Sequence, residues 1–339
     1  MAIGDWARRL IGLDKTEPVV EPLPPPAEPI THAPVEAPPT PEEARAPSPE
    51  ARPEPERGRI PRVSEYSFVK GHGTENDFVL IPDANGRHEL SAEQVARLCD
   101  RRAGIGGDGV IRVVRVDATE DPAAVKARGS ATWFMDYRNS DGSLSEMCGN
   151  GIRVLGHFLV THADVDPRDP LPIATRDGIK TLTFDAEQIT VDMGTPEVFS
   201  ETTVRVGERE LKATRVSMGN PQAVAFVDAL DEAGSLLEAP GHDEAVFPDG
   251  VNVEFVVRRG EQHVAMRVHE RGSGETRSCG TGACAVAVAV AAAVADGAER
   301  GTTYTVDLPG GTLQVVWTAD DRILMTGPAV LTAEGITNL

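Results

Sequence analysis

The hydrophobic and polar positions of the chain follow two periods, which together predict many short strands and a few helices. Alternation with period two predicts a strand at residues 66–70, and short runs rich in apolar and β-branched or aromatic residues predict strands at 78–81, 110–114 and 132–137. Residues 91–100 instead place apolar side chains at helical spacing behind a serine that can cap the first turn, so a short helix is predicted there. The first half of the folded chain is therefore predicted to consist of strands with one surface helix.

The second half of the chain repeats this order of elements, which favours two similar units. A break at Met193–Pro196 separates the two halves. Short alternating segments predict strands at 181–184 and 189–192 before the break, and further strands are predicted after it at 223–227, 251–255 and 264–269.

Two segments are apolar on nearly every side and predict buried helices. They span residues 151–160 and 283 to about 295, and the second is predicted to end at Asp296–Gly297. Each follows a cysteine-glycine turn, Met147–Gly151 in the first half and Ser278–Gly282 in the second. Two strand-rich units, each wrapped around one such helix, account for this pattern.

Cys148 and Cys279 are the candidate reactive groups, because each is delivered to the first turn of a buried helix. The free N–H groups and the dipole of a helix start favour negative charge, so we expect these thiols to ionise more easily than a free cysteine. Two such groups on opposite sides of a substrate carbon would supply an acid and a base of one kind, as a racemase or epimerase needs. Cys99 and Cys284 lie within apolar helix faces and are predicted to be packing residues.

Composition and charge narrow the class of protein. The 339 residues are 40% hydrophobic, enough for two ordinary domains. The net charge of −20 argues against a nucleic-acid partner, and no apolar run reaches the roughly 20 residues that cross a bilayer. With four cysteines in a chain of this size and no signal peptide, we expect reduced thiols and a cytoplasmic location.

Residues 1–64 differ in composition from the rest of the chain. Fifteen of the 26 prolines lie in residues 17–61, where large apolar side chains are almost absent, so this Pro/Glu-rich extension is predicted to be a disordered tether. Residues 3–13 place apolar side chains at helical spacing. That spacing fits a short helix for a membrane surface or an unknown partner, and it fits equally a frayed terminus without a role.

A glycine-rich segment imitates a nucleotide-binding motif. Residues 104–109 match G-x-G-x-x-G, which in dinucleotide-binding proteins follows a strand and opens a helix. Here a predicted helix precedes the glycines and a predicted strand follows them. We therefore interpret the segment as a loop that approaches the active site closely.

Several separate motifs resemble, in the same order, those of the diaminopimelate epimerase family. They extend over the chain from Glu65 to Leu339 and are Gly71–Phe78, Met147–Gly151, Ser217–Pro221, Glu270–Thr276 and Cys279–Gly282. The resemblance implies an α+β fold of two pseudo-symmetric domains, each a mostly antiparallel β-barrel wrapped around a central helix, usually in a homodimer. It also implies interconversion of LL- and meso-diaminopimelate, for lysine and peptidoglycan precursor synthesis, with no pyridoxal phosphate, other cofactor or metal.

The resemblance and the break between the halves set the expected domain limits. Residues 1–64 form the extension, and residues 65–192 with 328–339 form the domain that carries Cys148. Residues 193–327 form the domain that carries Cys279. The small-molecule substrate is then expected in the cleft between these two domains.

Residue by residue, the resemblance implies that Cys148 and Cys279 are the acid and base thiols. Gly149–Asn150 and Gly280–Thr281 would hold the α-carboxylate of the reacting centre with their backbone N–H groups. The further substrate contacts that it implies are Asn76, Asn139, Asn220, Asn252, Glu270 and Arg271.

Two positions depart from the family pattern. Gly109 stands where many members have glutamine, so one substrate contact is missing or replaced. Gln222 stands where members usually have the histidine that tunes the pKa of the thiols, and an amide can hydrogen-bond but cannot carry charge. Because both thiols remain, together with Glu270 as the other implied pKa-modulating residue, we expect an active enzyme with an altered pH dependence.

Two other functions remain open on the sequence alone. A proline or hydroxyproline racemase would use the same pair of thiols, but such proteins typically have histidine where this chain has Asn150, and the Glu270–Arg271 pair suits a second charged centre. A catalytically silent binding protein, with Gln222 marking lost activity, would leave the thiols at both helix starts without a role.

Overall fold

The computed structural model describes residues 65–293 and 300–338. The predictions for residues 1–64 and for the helix end at Asp296–Gly297 lie outside these residues. None of the helices in the described ranges is long and apolar enough to cross a membrane.

The described residues form four α-helices and nineteen strands, numbered here in chain order. The helices are α1 (Ala92–Cys99), α2 (Pro122–Lys126), α3 (Gly149–His162) and α4 (Gly280–Ala292), with a 3-10 helix at Leu230–Ala233. The strands of the first half are β1 (Glu65–Gly73), β2 (Asn76–Pro82), β3 (Gly109–Arg115), β4 (Trp133–Asn139), β5 (Leu171–Thr175), β6 (Gly178–Asp185) and β7 (Gln188–Gly194). The remaining strands are β8 (Glu197–Val198), β9 (Thr202–Val206), β10 (Arg209–Ser217), β11 (Pro221–Phe226), β12 (Gly241–His242), β13 (Asn252–Gly260), β14 (His263–Glu270), β15 (Gly274–Thr276), β16 (Thr303–Leu308), β17 (Gly311–Trp317), β18 (Ile323–Pro328) and β19 (Val330–Asn338).

The two halves use the same succession of strand pairings. From β1 to β7, neighbouring strands pair in the order antiparallel, parallel, antiparallel, parallel, antiparallel, antiparallel. The strands β10, β11, β13, β14, β16, β17 and β18 repeat that order. This repeat confirms the predicted α+β fold of two pseudo-symmetric halves.

Strand pairs also join the halves to each other. β7 pairs with β18, and the last strand, β19, pairs with the first, β1. The described strands therefore form one continuous sheet, and the residue limits of the two domains stay a prediction.

Each cysteine-led helix lies at the same place in its half, in the crossover between the fourth and the fifth strand. A parallel strand pair requires such a crossover, and both helices fill the space that their strands enclose. α3 packs against β1, β2 and β7, whereas α4 packs against β10, β11, β13 and β17. In α4, the residues from Ala283 to Ala291 are at most 1% exposed, which confirms the prediction of a buried helix.

Three element boundaries differ from the predictions. β1 continues through Gly71–Gly73, where the sequence predicted a break, because Thr74 and Glu75 make the chain reversal with left-handed φ angles of 49° and 62°. α3 and α4 begin at Gly149 and Gly280, earlier than predicted. The two cysteines are consequently N-caps, and the glycines that follow them form the first helical turn.

Candidate active site

Cys148 and Cys279 occupy equivalent positions, each as the N-cap of a buried helix. Their backbones are extended, with φ and ψ of −136° and 121° at Cys148 and −121° and 113° at Cys279. The Sγ of Cys279 accepts a hydrogen bond from the N–H of Gly282 at 3.4 Å. Because the first amides of a helix have no partner within it, both helix starts present free N–H groups beside a sulfur.

The starts of α3 and α4 lie against each other. Met325 on β18 contacts both, since a β-carbon on Gly149 would lie 2.7 Å from its Cε and one on Gly280 would lie 3.3 Å from its Sδ. Asn150 Nδ2 donates to the carbonyl and hydroxyl oxygens of Ser278 at 3.2 and 3.1 Å. The small residues after each cysteine therefore allow the two helix starts to approach closely.

A cavity of about 820 Å³ opens at these helix starts, and both cysteines line it. The structure thus brings together two sulfurs that are far apart in the sequence. Among the described residues, no cluster of three or more histidine, cysteine or acidic side chains is arranged to hold a metal ion. The predicted substrate contacts that line the cavity are Asn76, Asn139, Gly149, Asn150, Asn220, Glu270, Arg271, Gly280 and Thr281.

The hairpin between β1 and β2 places Asn76 beside the first thiol. Its turn, Thr74–Glu75, holds two non-glycine residues in the left-handed region, a conformation that the surrounding contacts must stabilise. Thr74 Oγ1 lies 2.5 Å from Ser278 Oγ, so the hairpin is docked on the loop that precedes α4. The Sγ of Cys148 in turn donates to Asn76 Oδ1 at 3.6 Å.

A network of charged residues determines how the Asn76 amide is oriented. Its Nδ2 donates to Asp108 at 2.7 Å, which leaves Oδ1 for the thiol, and Arg101 bridges Asp108 and Asp77 at 2.7 Å to each. Burial opposes ionisation of Asp77, but hydrogen bonds from Arg101 and Lys70 keep its pKa well below the usual range. Asp108 belongs to the glycine-rich loop, which therefore approaches the site as the sequence predicted.

Neither thiol ionises easily in this structure, so the prediction of easily ionised thiols is wrong. Burial raises the pKa of Cys148 to about 11 and that of Cys279 well above its usual value, and the carboxyl of Glu270 raises both further. Backbone N–H groups at the helix starts lower both pKa values, as predicted, but by less than burial raises them. A helix start alone is therefore insufficient to hold a thiolate here.

Gln222 is fully buried behind the cavity wall and orients the hydroxyl of Thr281. Its Nε2 donates to Asn220 Oδ1 at 2.7 Å and to Thr281 Oγ1 at 3.2 Å. Asn220 Nδ2 donates to the same hydroxyl at 3.3 Å. Since the Thr281 oxygen accepts two N–H groups, its own hydrogen is left for the Sγ of Cys279, 3.6 Å away.

Glu270 and Arg271 present opposite charges to the cavity at the end of β14. Burial raises the pKa of Glu270, whose carboxyl accepts the hydroxyl of Thr276. The guanidinium of Arg271 donates to the carbonyl of Asp249 at 3.3 Å and pairs with no carboxylate of the described residues. Asn252 does not line the cavity; it is 6% exposed, and its Oδ1 accepts the backbone N–H of Arg271 at 2.8 Å.

Packing explains the departure at Gly109. A β-carbon at this position would lie 2.5 Å from the carbonyl oxygen of Arg138 and 2.6 Å from the ring of Tyr137. Gly109 pairs with Asn139, whose Nδ2 donates to Ser143 at 3.0 Å. A side chain is thus excluded beside Asn139, and the residue there cannot supply a substrate contact.

Three titratable residues near the thiols were not predicted. Tyr137 lines the cavity, and its pKa is raised by burial and by the neighbouring Cys148. Arg153 and Glu254 are fully buried. The sequence does contain a signal for these two, because Arg153 is the only Lys, Arg, Asp or Glu of α3 and Glu254 is the single charge within residues 251–257.

Comparison with solved structures defines the class of fold. A PhzF-family phenazine biosynthesis protein from Bacillus anthracis matches with a TM-score of 0.59 and 18% identity, covering 81% of this chain and 100% of its own. A hydroxyproline epimerase from Agrobacterium vitis matches with a TM-score of 0.56 and 15% identity, covering 81% and 93%. The chain is therefore a member of the class of two-halved barrel proteins with central helices, and at these identities the likeness is one of fold alone.

Sequence comparison narrows this class to one family. The model of the diaminopimelate epimerase family matches residues 68–199 and 214–332, so the chain belongs to the diaminopimelate epimerase family. A diaminopimelate epimerase from Streptomyces coelicolor is 57% identical over 275 residues, which cover 79% of this chain and 94% of the relative. A protein of the same name from Corynebacterium glutamicum is 44% identical, and the match covers 79% of this chain and 96% of the relative. Another from Mycobacterium ulcerans is 45% identical, with 79% of this chain and 95% of the relative covered. The family resemblance inferred from the motifs is thus confirmed.

Proposed function

We propose that this protein interconverts LL- and meso-2,6-diaminopimelate, with Cys148 and Cys279 as the acid and the base. The observation that carries the proposal is the pair of cysteines, each of which caps a buried helix and lines the same cavity. Membership of the diaminopimelate epimerase family supports this substrate rather than proline or hydroxyproline.

The proposed reaction moves one proton at each face of the α-carbon. One cysteine, as thiolate, removes the α-hydrogen, and the electron pair of the C–H bond remains on the substrate as a carbanion. The other cysteine, as thiol, gives its proton to the opposite face and becomes the new thiolate. Protons and charge balance, and the reverse reaction uses the same two groups in exchanged roles.

Stabilisation of the carbanion is assigned to the two helix starts. The N–H groups of Gly149–Asn150 and Gly280–Thr281 lie at the positive ends of α3 and α4 and lack partners within their helices. Directed at the α-carboxylate, they stabilise charge where it develops during proton removal. The proposed mechanism therefore needs neither pyridoxal phosphate nor a metal.

The distal end of the substrate is assigned to the charged pair at the end of β14. Arg271 has no carboxylate partner within the described ranges and would bind the distal carboxylate, while Glu270 would accept the distal ammonium. Asn76, Asn139 and Asn220 add amide contacts from the cavity wall, and Asn252 supports Arg271 from behind.

We propose that Gln222 acts on Cys279 through hydrogen bonds alone, in place of the titratable histidine that family members usually have at this position. Through Thr281 it directs a hydroxyl hydrogen at the Sγ of Cys279, which stabilises the thiolate form without adding a charge. Because an amide does not titrate, the pH dependence of turnover would follow the thiols and Glu270. We also propose a cytoplasmic homodimer, with an unidentified partner for the N-terminal extension and no stable membrane insertion; these assignments come from composition and the family resemblance.

Replacing either cysteine should abolish epimerisation, because one face of the α-carbon then lacks its proton carrier. We expect Cys148→Ala and Cys279→Ala each to lower turnover on the order of 10²–10⁴-fold. The full chain is incubated with LL-diaminopimelate in deuterium oxide, and meso product and deuterium at the α-carbon are measured.

Cys284→Ala is the matched control, since this cysteine is buried in α4 outside the cavity and its removal should leave turnover nearly unchanged. Near-normal turnover by Cys148→Ala or by Cys279→Ala would reject the two-base scheme. Deuterium exchange with proline or hydroxyproline, but not with diaminopimelate, would assign the protein to the racemase alternative. A folded chain without exchange on any of these substrates would indicate a silent binding protein.

A further inference from the structure

Arg153 is a fully buried cation one turn into α3, directly behind the N-cap Cys148. Its side chain is 0% exposed. Its Nη1 donates to the carbonyl of Gly149 at 3.1 Å and its Nη2 to Asn150 Oδ1 at 3.0 Å, while Nε donates to the carbonyl of Pro328 at 3.4 Å. The guanidinium is therefore bound to the two residues that follow the cysteine.

No carboxylate in the described part of the chain pairs with this guanidinium. Its remaining partners are also neutral, the hydroxyl of Thr74 at 3.5 Å and the thioether of Met325 at 3.9 Å. A buried cation without a counter-charge is costly, and proteins usually pair it. Burial lowers the pKa of Arg153 to about 10, which is still above neutral pH, and the thiols of Cys148 and Cys284 favour its charged form. Of these two thiols, only that of Cys148 lines the cavity.

The surrounding backbone leaves room for this side chain at two glycines. A β-carbon on Gly73 would lie 2.9 Å from Arg153 Nη2, and one on Gly327 would lie 3.5 Å from its Cζ. Strands β1 and β18, one from each half, thus enclose the guanidinium. The fold therefore contains a buried site that is shaped for the Arg153 guanidinium.

The charged surroundings of the two thiols are unequal. Cys148 is influenced by Arg153 on its own helix, Glu270 on β14 and Tyr137 on β4. Cys279 is influenced by two carboxyls, Glu270 and Glu254. A positive charge therefore lies on the side of Cys148, whereas the carboxyl group of Glu254 adjoins Cys279, since a β-carbon on Gly282 would lie 3.0 Å from Glu254 Oε1 and 3.2 Å from Cys279 Sγ.

We propose that Arg153 is a positioning residue whose fixed charge keeps the negative charge of the thiol pair on Cys148 when no substrate is bound. The proposal rests on the two-thiol function and adds an order to it, with Cys148 as the resting base and Cys279 as the resting acid. Arg153 supplies the positive charge that the helix start alone does not provide. Its hydrogen bond to the side chain of Asn150 also fixes the residue whose backbone N–H is assigned to the substrate carboxylate.

Single-thiol variants test the order of ionisation. Cys279→Ser leaves Cys148 in the cleft, and Cys148→Ser leaves Cys279. The rate of alkylation by iodoacetamide is measured against pH and assigned to each cysteine by peptide mass spectrometry. We expect Cys148 to react with the lower pH midpoint, and the reverse order would overturn the proposal. The exposure of a cysteine changes the plateau rate of its alkylation but not the pH midpoint. The greater exposure of Cys148 therefore cannot by itself give it a lower midpoint than Cys279.

Variants of Arg153 test the source of that order. In the Cys279→Ser background, Arg153→Met should raise the alkylation midpoint of Cys148 by about one pH unit or more, since an opposite charge nearby has been removed. Arg153→Lys keeps the charge, so the alkylation midpoint of Cys148 in this variant should stay close to its value with Arg153. A purely structural role would lower the thermal unfolding midpoint without moving the alkylation midpoint, which would overturn the proposal.

The outcome stays decisive if Arg153→Met does not fold, because the comparison between the two single-thiol variants does not depend on it. Failure of the proposed function is a separate result. It would appear as absence of deuterium exchange by the unaltered chain, whichever thiol ionises first.

Discussion

Glu254 shows how burial determines charge at the scale of a single residue. It is fully buried, and neither carboxyl oxygen has a well-aligned hydrogen bond. Burial raises its pKa well above 4.5, and the nearby Glu270 adds to the effect. A β-carbon on Gly282 would lie 3.0 Å from Glu254 Oε1 and 3.2 Å from Cys279 Sγ, so this carboxyl is immediately behind the thiol. The raised pKa of Glu254 disfavours a second full negative charge beside the thiol.

Glu254→Gln should change how the free energy of unfolding depends on pH. The folded protein holds a proton that the unfolded chain releases above about 4.5, so wild-type stability falls as the pH rises toward the raised folded pKa. The Glu254→Gln variant lacks this loss. As the pH rises, its free energy of unfolding should therefore increase relative to that of the wild type by up to about 1.4 kcal/mol per pH unit. Urea unfolding at several pH values measures the difference.

The exposed Glu261, on the turn between β13 and β14, provides the control for this measurement. Glu261→Gln should leave the pH dependence of unfolding as it is in the wild type. The cost of burying an amide in place of the Glu254 carboxyl does not vary with pH. Only the slope of the free energy of unfolding against pH therefore reports on the pKa of Glu254. A difference between Glu254→Gln and wild type that stays constant with pH would contradict the raised pKa.

At the scale of elements, one hairpin connects the two halves of the active site. Thr74 is 3% exposed, and its hydroxyl contacts Ser278 in the loop before α4 and Arg153 in α3. The chain also passes close by at Gly310, where a β-carbon would lie 2.0 Å from the carbonyl oxygen of Thr74. The hairpin therefore sets the spacing between the two helix starts.

Thr74→Val removes the hydroxyl but keeps the branched shape, so the cost of the left-handed φ is similar in both proteins. We expect a loss of about 1–3 kcal/mol in the free energy of unfolding, because the buried hydroxyl of Ser278 loses one of its two hydrogen-bond partners and keeps only Asn150. Turnover should fall as well, since Ser278 and Asn150 together align the helix starts. Chemical denaturation and initial rates measure the two effects.

Thr74→Ser is the comparison, because it retains the hydroxyl and should preserve more of both properties. Equal behaviour of the valine and serine variants would show that the hydroxyl contact does not join the halves.

Local pattern predicted most of the elements but not all of their ends. The strands expected at 110–114 and 264–269 are confirmed as β3 and β14, since short runs rich in β-branched and apolar residues suit strands that are largely buried. The helix starts were placed too late because glycine has a low helix propensity and resembles a loop. The end of β1 was missed because Thr74–Glu75 lacks the Asn-Gly signature of a tight hairpin.

At the scale of the whole molecule, the repeat predicted two similar halves, but their joint structure depends on distant contacts. The pairing of β7 with β18, and the meeting of both helix starts at Met325, join segments without a shared local signal. The raised pKa values of Cys148 and Cys279 follow from the same packing, which encloses the thiols more than any helix start can offset. The sequence thus singled out the two cysteines that line the cavity, whereas their protonation depends on the assembled fold.

Deletion of residues 1–64 should leave the enzyme intact, because all the described residues that line the cavity follow Glu65. Its lining residues fall between Glu75 and Thr281, and the family model begins at residue 68. We expect kcat and KM within about two-fold of the full chain and an unchanged thermal midpoint, since the Pro/Glu-rich composition of residues 1–64 predicts a tether outside the folded domains. Initial rates and thermal unfolding of the two proteins, measured side by side, check this.

A deletion that extends only five residues further supplies the contrast. Removing residues 1–69 takes away the first part of β1, including Tyr66 and Val69, which are 6% and 2% exposed. Because β1 pairs with both β2 and β19, we expect this shorter chain to lose its cooperative unfolding and its turnover. If instead the deletion of 1–64 already abolishes turnover, the extension contributes to the working enzyme and the boundary at residue 65 is wrong.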